Sequence, residues 1–406
     1  MLRYGGVVIH MQLNSKMEYI VGNKNILTNM EKQKAMPIFS DEVIDFLSSL
    51  SKHMLKNKDA QKYSDVVTFA FWCRKASIKQ MGESYKNIGL HLGRGIVFHI
   101  APSNVAVNFA YSFVSALLAG NANLVRLPSK DFLQVEIICA AINKTLKEMP
   151  FMQNYMVMVR YAHNKELNDI FSNICKVRVV WGGDNTIREL RKSPMQVRAT
   201  EIAFADRNSI TVIDSDGYLE ADTKSEIAND FYNDTYLTDQ NACTSPRVVI
   251  WLGSQAKAAQ KEFWNQLHQV AKEKYVLQSV QAVDKLTKAY ILGACKQAKM
   301  VKSLDNIITR INVNKIDDDL MQYKGNSGFF IEYEGQELTE ILPLCDLRCQ
   351  TIAYYGIPIN RLDEFVREYC PPGVDRMVPL GKTMDFSLNW DGYDLIRTMS
   401  REITIV

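Results

Sequence analysis

The stretch Gly95-Ile-Val-Phe-His-Ile-Ala-Pro102-Ser-Asn104-Val, continued by Asn108 to Leu118 and by Ala119-Gly120-Asn121-Ala-Asn-Leu-Val-Arg126-Leu-Pro128-Ser129-Lys130, decides the fold. Residues 95–100 are a short apolar run of the kind buried on both faces of a parallel sheet. A Pro-Ser-Asn loop follows. Residues 109–118 are apolar on nearly every face, which predicts a helix packed from both sides. The Gly-Asn pair turns the chain, residues 124–127 read as the next strand, and Pro128-Ser129-Lys130 is its exit loop. Strand, helix and strand in this order form a βαβ unit. Asn104 falls where the strand ends and the helix begins, so its side chain can reach a crevice at the carboxyl end of the sheet.

The alternation continues outward. A helix is expected through 135–146, a strand at 156–161, a helix near 165–175, a strand at 177–181, a helix near 186–192 and a strand at 201–204. This is the pattern of a parallel, doubly wound sheet. Residues 209–213, a helix through 224–235, residues 248–252 and long helices between 254 and 300 begin a second α/β region. A final turn and helix over 389–399 and a strand over 401–406 close the chain; a lone strand must join a sheet to satisfy its backbone groups. The expected organisation is an N-terminal extension over 1–33, with Met11, Met17 and Met30 each a candidate start, then a domain over 34–206 that begins with helices, a domain over 207–388 and a C-terminal segment over 389–406.

Composition bounds the function. The chain has 406 residues, 47% hydrophobic and 23% charged, with a net charge of +3, which is the profile of an ordinary globular protein and too weak a charge for a nucleic-acid partner. No apolar run is long enough for a membrane span, and no secretory signal is evident. Eight cysteines and six histidines are scattered with no Cys-x-x-Cys pair, so reduced thiols in a cytoplasm are expected, without metal. Cys345 and Cys349 stand four apart and are expected to share a helix face, as structural residues.

One cysteine differs in setting. Asp239-Gln-Asn-Ala-Cys243-Thr-Ser-Pro-Arg247 precedes the apolar Val248-Val-Ile-Trp251. A thiol in a small polar loop ahead of a buried strand can attack a carbonyl while nearby backbone N–H groups receive the oxyanion. The competing expectation is a small buried residue.

The Pro-Ser-Asn loop, the Ala-Gly-Asn turn, the Pro-Ser-Lys loop and the Gln-Asn-Ala-Cys loop occur in the order seen in the aldehyde dehydrogenase superfamily. Ala101 to Val105, Gln240 to Pro246 and the tail Trp390-Asp-Gly-Tyr-Asp-Leu-Ile396 resemble the LuxC-type acyl-CoA reductases, over roughly residue 85 to the C-terminus. The resemblance implies an aldehyde dehydrogenase-like α/β fold, with a nucleotide-binding domain, a thiol catalytic domain and a C-terminal strand of the kind that commonly pairs with a neighbouring subunit. It implies NADPH-dependent reduction of a fatty acyl-CoA or acyl thioester to the aldehyde, without metal, in a homo-oligomer working beside a LuxE-type acyl-activating ligase. The alternatives are an aldehyde dehydrogenase that oxidises aldehydes to acids, and a catalytically silent subunit of a fatty-acid reductase complex.

The same resemblance assigns roles. Cys243 becomes the nucleophile and Asn104 the oxyanion donor, against a helix-cap role for Asn104. Glu201 matches the glutamate that activates water in aldehyde dehydrogenases, but it stands in Glu201-Ile-Ala-Phe204 in place of Glu-Leu-Gly-Gly, and a strand-end surface carboxylate is the alternative. Arg126, Ser129 and Lys130 surround the adenosine ribose loop; Lys130 replaces a glutamate of NAD-preferring relatives, so a 2′-phosphate is expected there. Gly182 and Gly183 lie in a strand-to-helix turn where backbone N–H groups can approach a pyrophosphate. Gln350 stands where relatives place a glutamate on the nicotinamide ribose.

Overall fold

The computed structural model describes residues 17–303 and 305–406. The described chain forms two compact units: residues 17–205 with 386–406, and residues 206–385.

The first unit is built on a six-stranded sheet. Its strands are β1 (Glu18–Val21), β3 (Ile96–Ile100), β4 (Ala122–Arg126), β5 (Met156–Arg160), β6 (Val177–Trp181) and β7 (Thr200–Phe204), in the order β1-β5-β4-β3-β6-β7; β2 (Leu90–Gly93) lies apart from it. All neighbours are parallel except β1, which pairs antiparallel with β5. From β3 the chain steps outward to β4 and β5, then returns to the other side of β3 for β6. The loops after β3 and β6 therefore flank a topological switch point, the usual mouth of a ligand crevice in such sheets. Apolar clusters cover both faces of the sheet. The helix Asn108–Leu118 buries every residue from Phe109 to Leu118, as its all-round apolar surface requires.

Gly120 and Asn121 fix the entry to β4. Gly120 has φ of +85°, and a Cβ there would lie 2.0 Å from the Met36 carbonyl oxygen, so only glycine fits. The Asn121 carboxamide accepts from the Arg94 and Gly95 N–H groups at 2.7 and 3.1 Å and donates to the Ala116 and Met399 carbonyls at 3.1 and 2.9 Å. This side chain ties the start of the sheet to the C-terminal helix Leu395–Met399.

The chain end pairs within its own unit. β15 (Asn389–Trp390) and β16 (Tyr393–Asp394) form a small hairpin, and β17 (Ser400–Ile403) pairs antiparallel with β2 of the same chain. Its backbone groups on that edge are met within the molecule.

The second unit holds a seven-stranded sheet of β8 (Asn208–Asp214), β9 (Pro246–Leu252), β10 (Ala298–Met300), β11 (Thr309–Val313), β12 (Phe329–Gly335), β13 (Cys349–Tyr355) and β14 (Arg376–Pro379), in the order β10-β11-β12-β9-β8-β13-β14. Only β10 runs antiparallel to its neighbour. Clusters again cover both faces. Glu332 is fully buried on β12 and accepts from Trp251 Nε1 at 3.0 Å, Trp264 Nε1 at 2.6 Å and Arg310 Nε at 2.7 Å. Among the described residues no helix is long and apolar enough to cross a membrane.

His99, in the middle of β3, belongs to a buried relay. Trp181 Nε1 donates to Ser112 Oγ at 3.1 Å; Ser112 Oγ lies 2.8 Å from His99 Nδ1; His99 Nε2 lies 2.9 Å from Asn123 Oδ1. The wiring is complete with a neutral ring, and burial lowers the imidazole from 6.5 to about 4. The unfolded ring takes up a proton near 6.5 and the folded ring does not. The stability due to the neutral ring is therefore present above that value and lost as pH falls toward about 4. Going from pH 7.5 to pH 5 is expected to cost about 2 kcal/mol through this residue. Denaturant titrations of wild type and His99→Gln at both pH values check it: the variant should show a smaller pH-dependent loss, and an equal loss would exclude His99 as the source.

Candidate functional site

Two groups of residues stand out, one in each unit. In the first unit, the loops after β3 and β4 lie side by side because those strands are adjacent. Ser103 Oγ and Ser129 Oγ are 3.2 Å apart, which joins the Pro-Ser-Asn loop carrying Asn104 to the Pro-Ser-Lys loop. Arg126, the last residue of β4, places its guanidinium 4.7 Å from the Tyr161 ring centre. Lys130 is exposed, its ammonium 5.0 Å from the Phe132 ring centre.

Gly182 and Gly183 follow β6 on the other side of the switch point. The Gly182 N–H donates to the Phe204 carbonyl at 3.2 Å, and a Cβ on Gly182 would lie 3.1 Å from Thr186. A side chain at Gly182 would crowd Thr186 in the first turn of the following helix. Gly183 occupies the N-cap of the helix Asp184–Arg191.

Glu201 lies on β7, opposite Arg178 of β6. One carboxylate oxygen accepts from Arg178 Nε at 2.8 Å, and the other from Arg191 Nε at 2.7 Å. Arg178 is buried and also donates to Ser172 Oγ and to the Leu190 and Ser193 carbonyls at 2.9 to 3.0 Å. This is not a free strand-end carboxylate. It is the counter-ion of a buried arginine.

In the second unit, Cys243 is half-buried in the loop that leads into β9. Asp239 and Gln240 take left-handed backbone angles, φ of 50° and 56°, which fold the loop back on itself. The buried Gln240 side chain donates to the Pro246 and Phe329 carbonyls at 3.0 and 3.3 Å and accepts from the Gly328 and Phe329 N–H groups at 2.8 and 3.2 Å. Ser209 Oγ donates to the Cys243 carbonyl at 2.8 Å. Asn326 donates to Asn241 Oδ1 at 2.9 Å and accepts from Arg247 Nε at 3.2 Å. The thiol is therefore held by three neighbouring segments.

Gln350 is buried near the start of β13, at a bulge: Cys349 pairs with Asn208 and Thr351 with Ser209, leaving Gln350 as the extra residue. Bulges of this kind re-aim side chains beside functional sites. Ser209 thus links the Gln350 bulge to Cys243 within one sheet.

Charge distinguishes the site. Burial lowers the Arg247 guanidinium to about 10, while the Cys243 sulfur acts to raise it. Lys324 is lowered by burial and then by Arg247, with Asp206 and Cys243 opposing. Arg247, Lys324 and Asn326 carry no assignment from sequence reasoning. Arg247 was visible as a cation directly before an apolar strand, but Lys324 and Asn326 reach the loop only through sheet pairing.

The remaining thiols differ. Burial raises Cys73, Cys139 and Cys175; a hydrogen bond with Cys345, then burial, raises Cys349. Cys345 and Cys349 do not share a helix: Cys345 ends the 3₁₀ turn Leu338–Leu344 and Cys349 opens β13. Among the described residues no group of three or more His, Cys, Asp or Glu is placed to hold a metal ion.

Solved structures share the fold. The glyceraldehyde-3-phosphate dehydrogenase GapN from Methanocaldococcus jannaschii, complexed with NADP, superposes with a TM-score of 0.64 at 15% identity, covering 96% of this chain and 98% of that one. The NAD-dependent benzaldehyde dehydrogenase from Corynebacterium glutamicum gives 0.61 at 12%, covering 93% and 87%. The lactaldehyde dehydrogenase from Escherichia coli gives 0.61 at 12%, covering 89% and 85%. The fold is that of the aldehyde dehydrogenases. No curated protein matches the sequence. The family described as acyl-CoA reductase (LuxC) matches residues 74–315, more than half of the chain, and the protein belongs to that family. It is an oxidoreductase of aldehyde chemistry.

The Glu201 geometry yields an expectation. Removing one partner of a buried ion pair costs about 3–5 kcal/mol. Glu201→Gln should lose stability on that scale in denaturant titrations, yet alkylate Cys243 at the wild-type rate. Slowed alkylation in a stably folded variant would restore a catalytic role to this carboxylate.

Proposed function

We propose that the protein reduces an acyl-CoA thioester to the aldehyde with NADPH, through an acyl-enzyme on Cys243. The carrying observation is the Cys243 loop: a half-buried thiol in a loop pinned by Gln240, Ser209 and Asn326 and set near Arg247 and Lys324, a setting that neither the buried thiols nor the exposed Cys295 and Cys370 share. The Cys243 sulfur attacks the thioester carbonyl carbon, the carbon–sulfur bond to CoA breaks, and CoA leaves with a proton. Hydride from NADPH then joins the acyl carbon, and the bond to Cys243 breaks to release the aldehyde. Asn104 is assigned as a donor to the oxyanion in both steps.

The cofactor assignment is supported by the switch point of the first unit. Its crevice mouth carries Ser103, Ser129, Arg126, Lys130 and Gly183, hydroxyls, cations and a helix N-cap suited to a phosphorylated dinucleotide. Lys130 would meet the 2′-phosphate and Gln350 a ribose hydroxyl. Glu201 is left to the scaffold, which disfavours the hydrolytic, aldehyde-oxidising alternative. A LuxE-type ligase as acyl supplier and a homo-oligomeric state complete the reading.

Mass spectrometry after mixing with acyl-CoAs of graded length, without NADPH, should show one acyl adduct, on Cys243. Cys243→Ser should show none and should lose reduction, because an alkoxide is far harder to form than a thiolate. Wild-type turnover in that variant would refute the assignment.

NADPH should be used better than NADH, and Lys130→Glu should narrow or reverse the preference by repelling the 2′-phosphate and offering an acceptor to a free ribose hydroxyl. Unchanged kcat/KM ratios would remove Lys130 from the ribose pocket.

A further inference from the structure

Arg247 is a buried cation, only 5% exposed, whose hydrogen bonds go to neutral oxygens. Nε donates to Asn326 Oδ1 at 3.2 Å, one terminal nitrogen to the Ser245 carbonyl at 3.3 Å, and the other to the Gln240 carbonyl. The other buried arginines of the molecule show what is missing. Arg178 has Glu201, and the partly buried Arg310 has Glu332. A buried charge without an opposite charge is costly, so the fold retains Arg247 for an anion. Its two carbonyl partners, Gln240 and Ser245, bracket Cys243 in the loop, so the guanidinium lies against the segment that carries the thiol.

The surroundings point the same way. Lys324 lies in the segment ahead of β12, two residues before the Asn326 that accepts from Arg247, and is half-buried; Arg247, Cys243, Arg348 and Asp206 are the charges that reach it. The carboxylate of the loop itself, Asp239, accepts a hydrogen bond from the Tyr275 hydroxyl. Gln240 and Asn326 fix Arg247 against the loop, so the guanidinium cannot swing to solvent.

We propose that Arg247, with Lys324 beside it, holds Cys243 as its thiolate, so that the nucleophile arises from a buried cation pair and not from a carboxylate base. The S–H bond breaks, its proton passes to water, and the sulfur keeps the electron pair opposite the guanidinium. Arg247 and Lys324 are positioning residues: they touch the nucleophile's charge, not the substrate. The proposal rests on Cys243 as the reactive thiol of the function above.

Alkylation by iodoacetamide, followed at Cys243 by peptide mass spectrometry from pH 5 to pH 10, tests it without substrate or cofactor. Peptide resolution is needed because Cys295 and Cys370 are exposed. Wild type should react with a midpoint below the ordinary cysteine value of about 8.5. Arg247→Met should move the midpoint upward, slowing alkylation at pH 7 about tenfold while leaving the plateau at high pH. Lys324→Met should slow it about threefold, and Arg247→Lys should stay near wild type. Should Arg247→Met fail to fold, as shown by circular dichroism, Lys324→Met and Arg247→Lys still decide. A wild-type midpoint near 8.5, or midpoints unmoved by both methionine variants, would overturn the proposal. A low midpoint that Arg247→Met and Lys324→Met raise, in a protein that no acyl-CoA acylates, would support the proposal and sink the acyl-CoA reading instead.

Discussion

The carboxamide of Gln240 is the contact on which the arrangement around Cys243 depends. It sits on a left-handed residue, fully buried, and makes four hydrogen bonds to backbone groups of β9, β12 and the turn before β12. Each buried amide group it satisfies would otherwise carry a desolvation cost of about 1–3 kcal/mol. Its own carbonyl receives Arg247. The cysteine three residues on has no freedom to drift, because the chain is fixed on one side by Gln240 and on the other by Ser209. Pre-organisation of this kind is what an attacking thiol needs, since geometry achieved in the folded state is not lost again at the moment of reaction.

Buried charge is handled in two opposite ways. Glu332 is surrounded by two indole N–H groups and a guanidinium, so an anion inside the sheet is fully answered. Burial still raises its carboxyl, but nothing there is left to react. The same holds for Arg178 and Glu201 in the first unit. These are closed networks that fix neighbouring strands in register. Arg247 stands apart because its partners are neutral oxygens, and the chemistry of the protein is proposed where that electrical account is left open.

Much of this was legible in the sequence. Strands buried on both faces of a parallel sheet are mostly apolar, and β3, β4, β6 and β9 read that way despite one or two polar residues in each, such as His99, Asn123, Arg178 and Arg247. The helix Asn108–Leu118 announced its sandwiched position by having no polar face. The Cys243 loop was visible because small polar residues directly precede such a strand. What could not be read is what lies across strands. Glu201 looked like a free carboxylate because Arg178 is remote in sequence and becomes its neighbour only when β6 pairs with β7. Lys324 and Asn326 sit in a loop of ordinary composition, and only the β9–β12 pairing brings them to the thiol. The partner of β17 was hidden for the same reason, since β2 lies at the far end of the chain.

The bond from Asn121 to the Met399 carbonyl and the pairing of β17 with β2 have a bearing on biosynthesis. Residues 206–385 are complete, sheet and all, once their last residue has been made, whereas the unit that begins the chain requires residues 386–406 before it can close. Domains that emerge first usually fold first during synthesis. Here the first unit cannot close on its early residues alone, because the Asn121 side chain and β2 find their partners only in Met399 and β17. A chain cut short before Phe386 would therefore carry an intact second half and an unfinished first half, with the apolar surface normally covered by Leu395, Ile396 and Met399 left open to aggregation or chaperone capture.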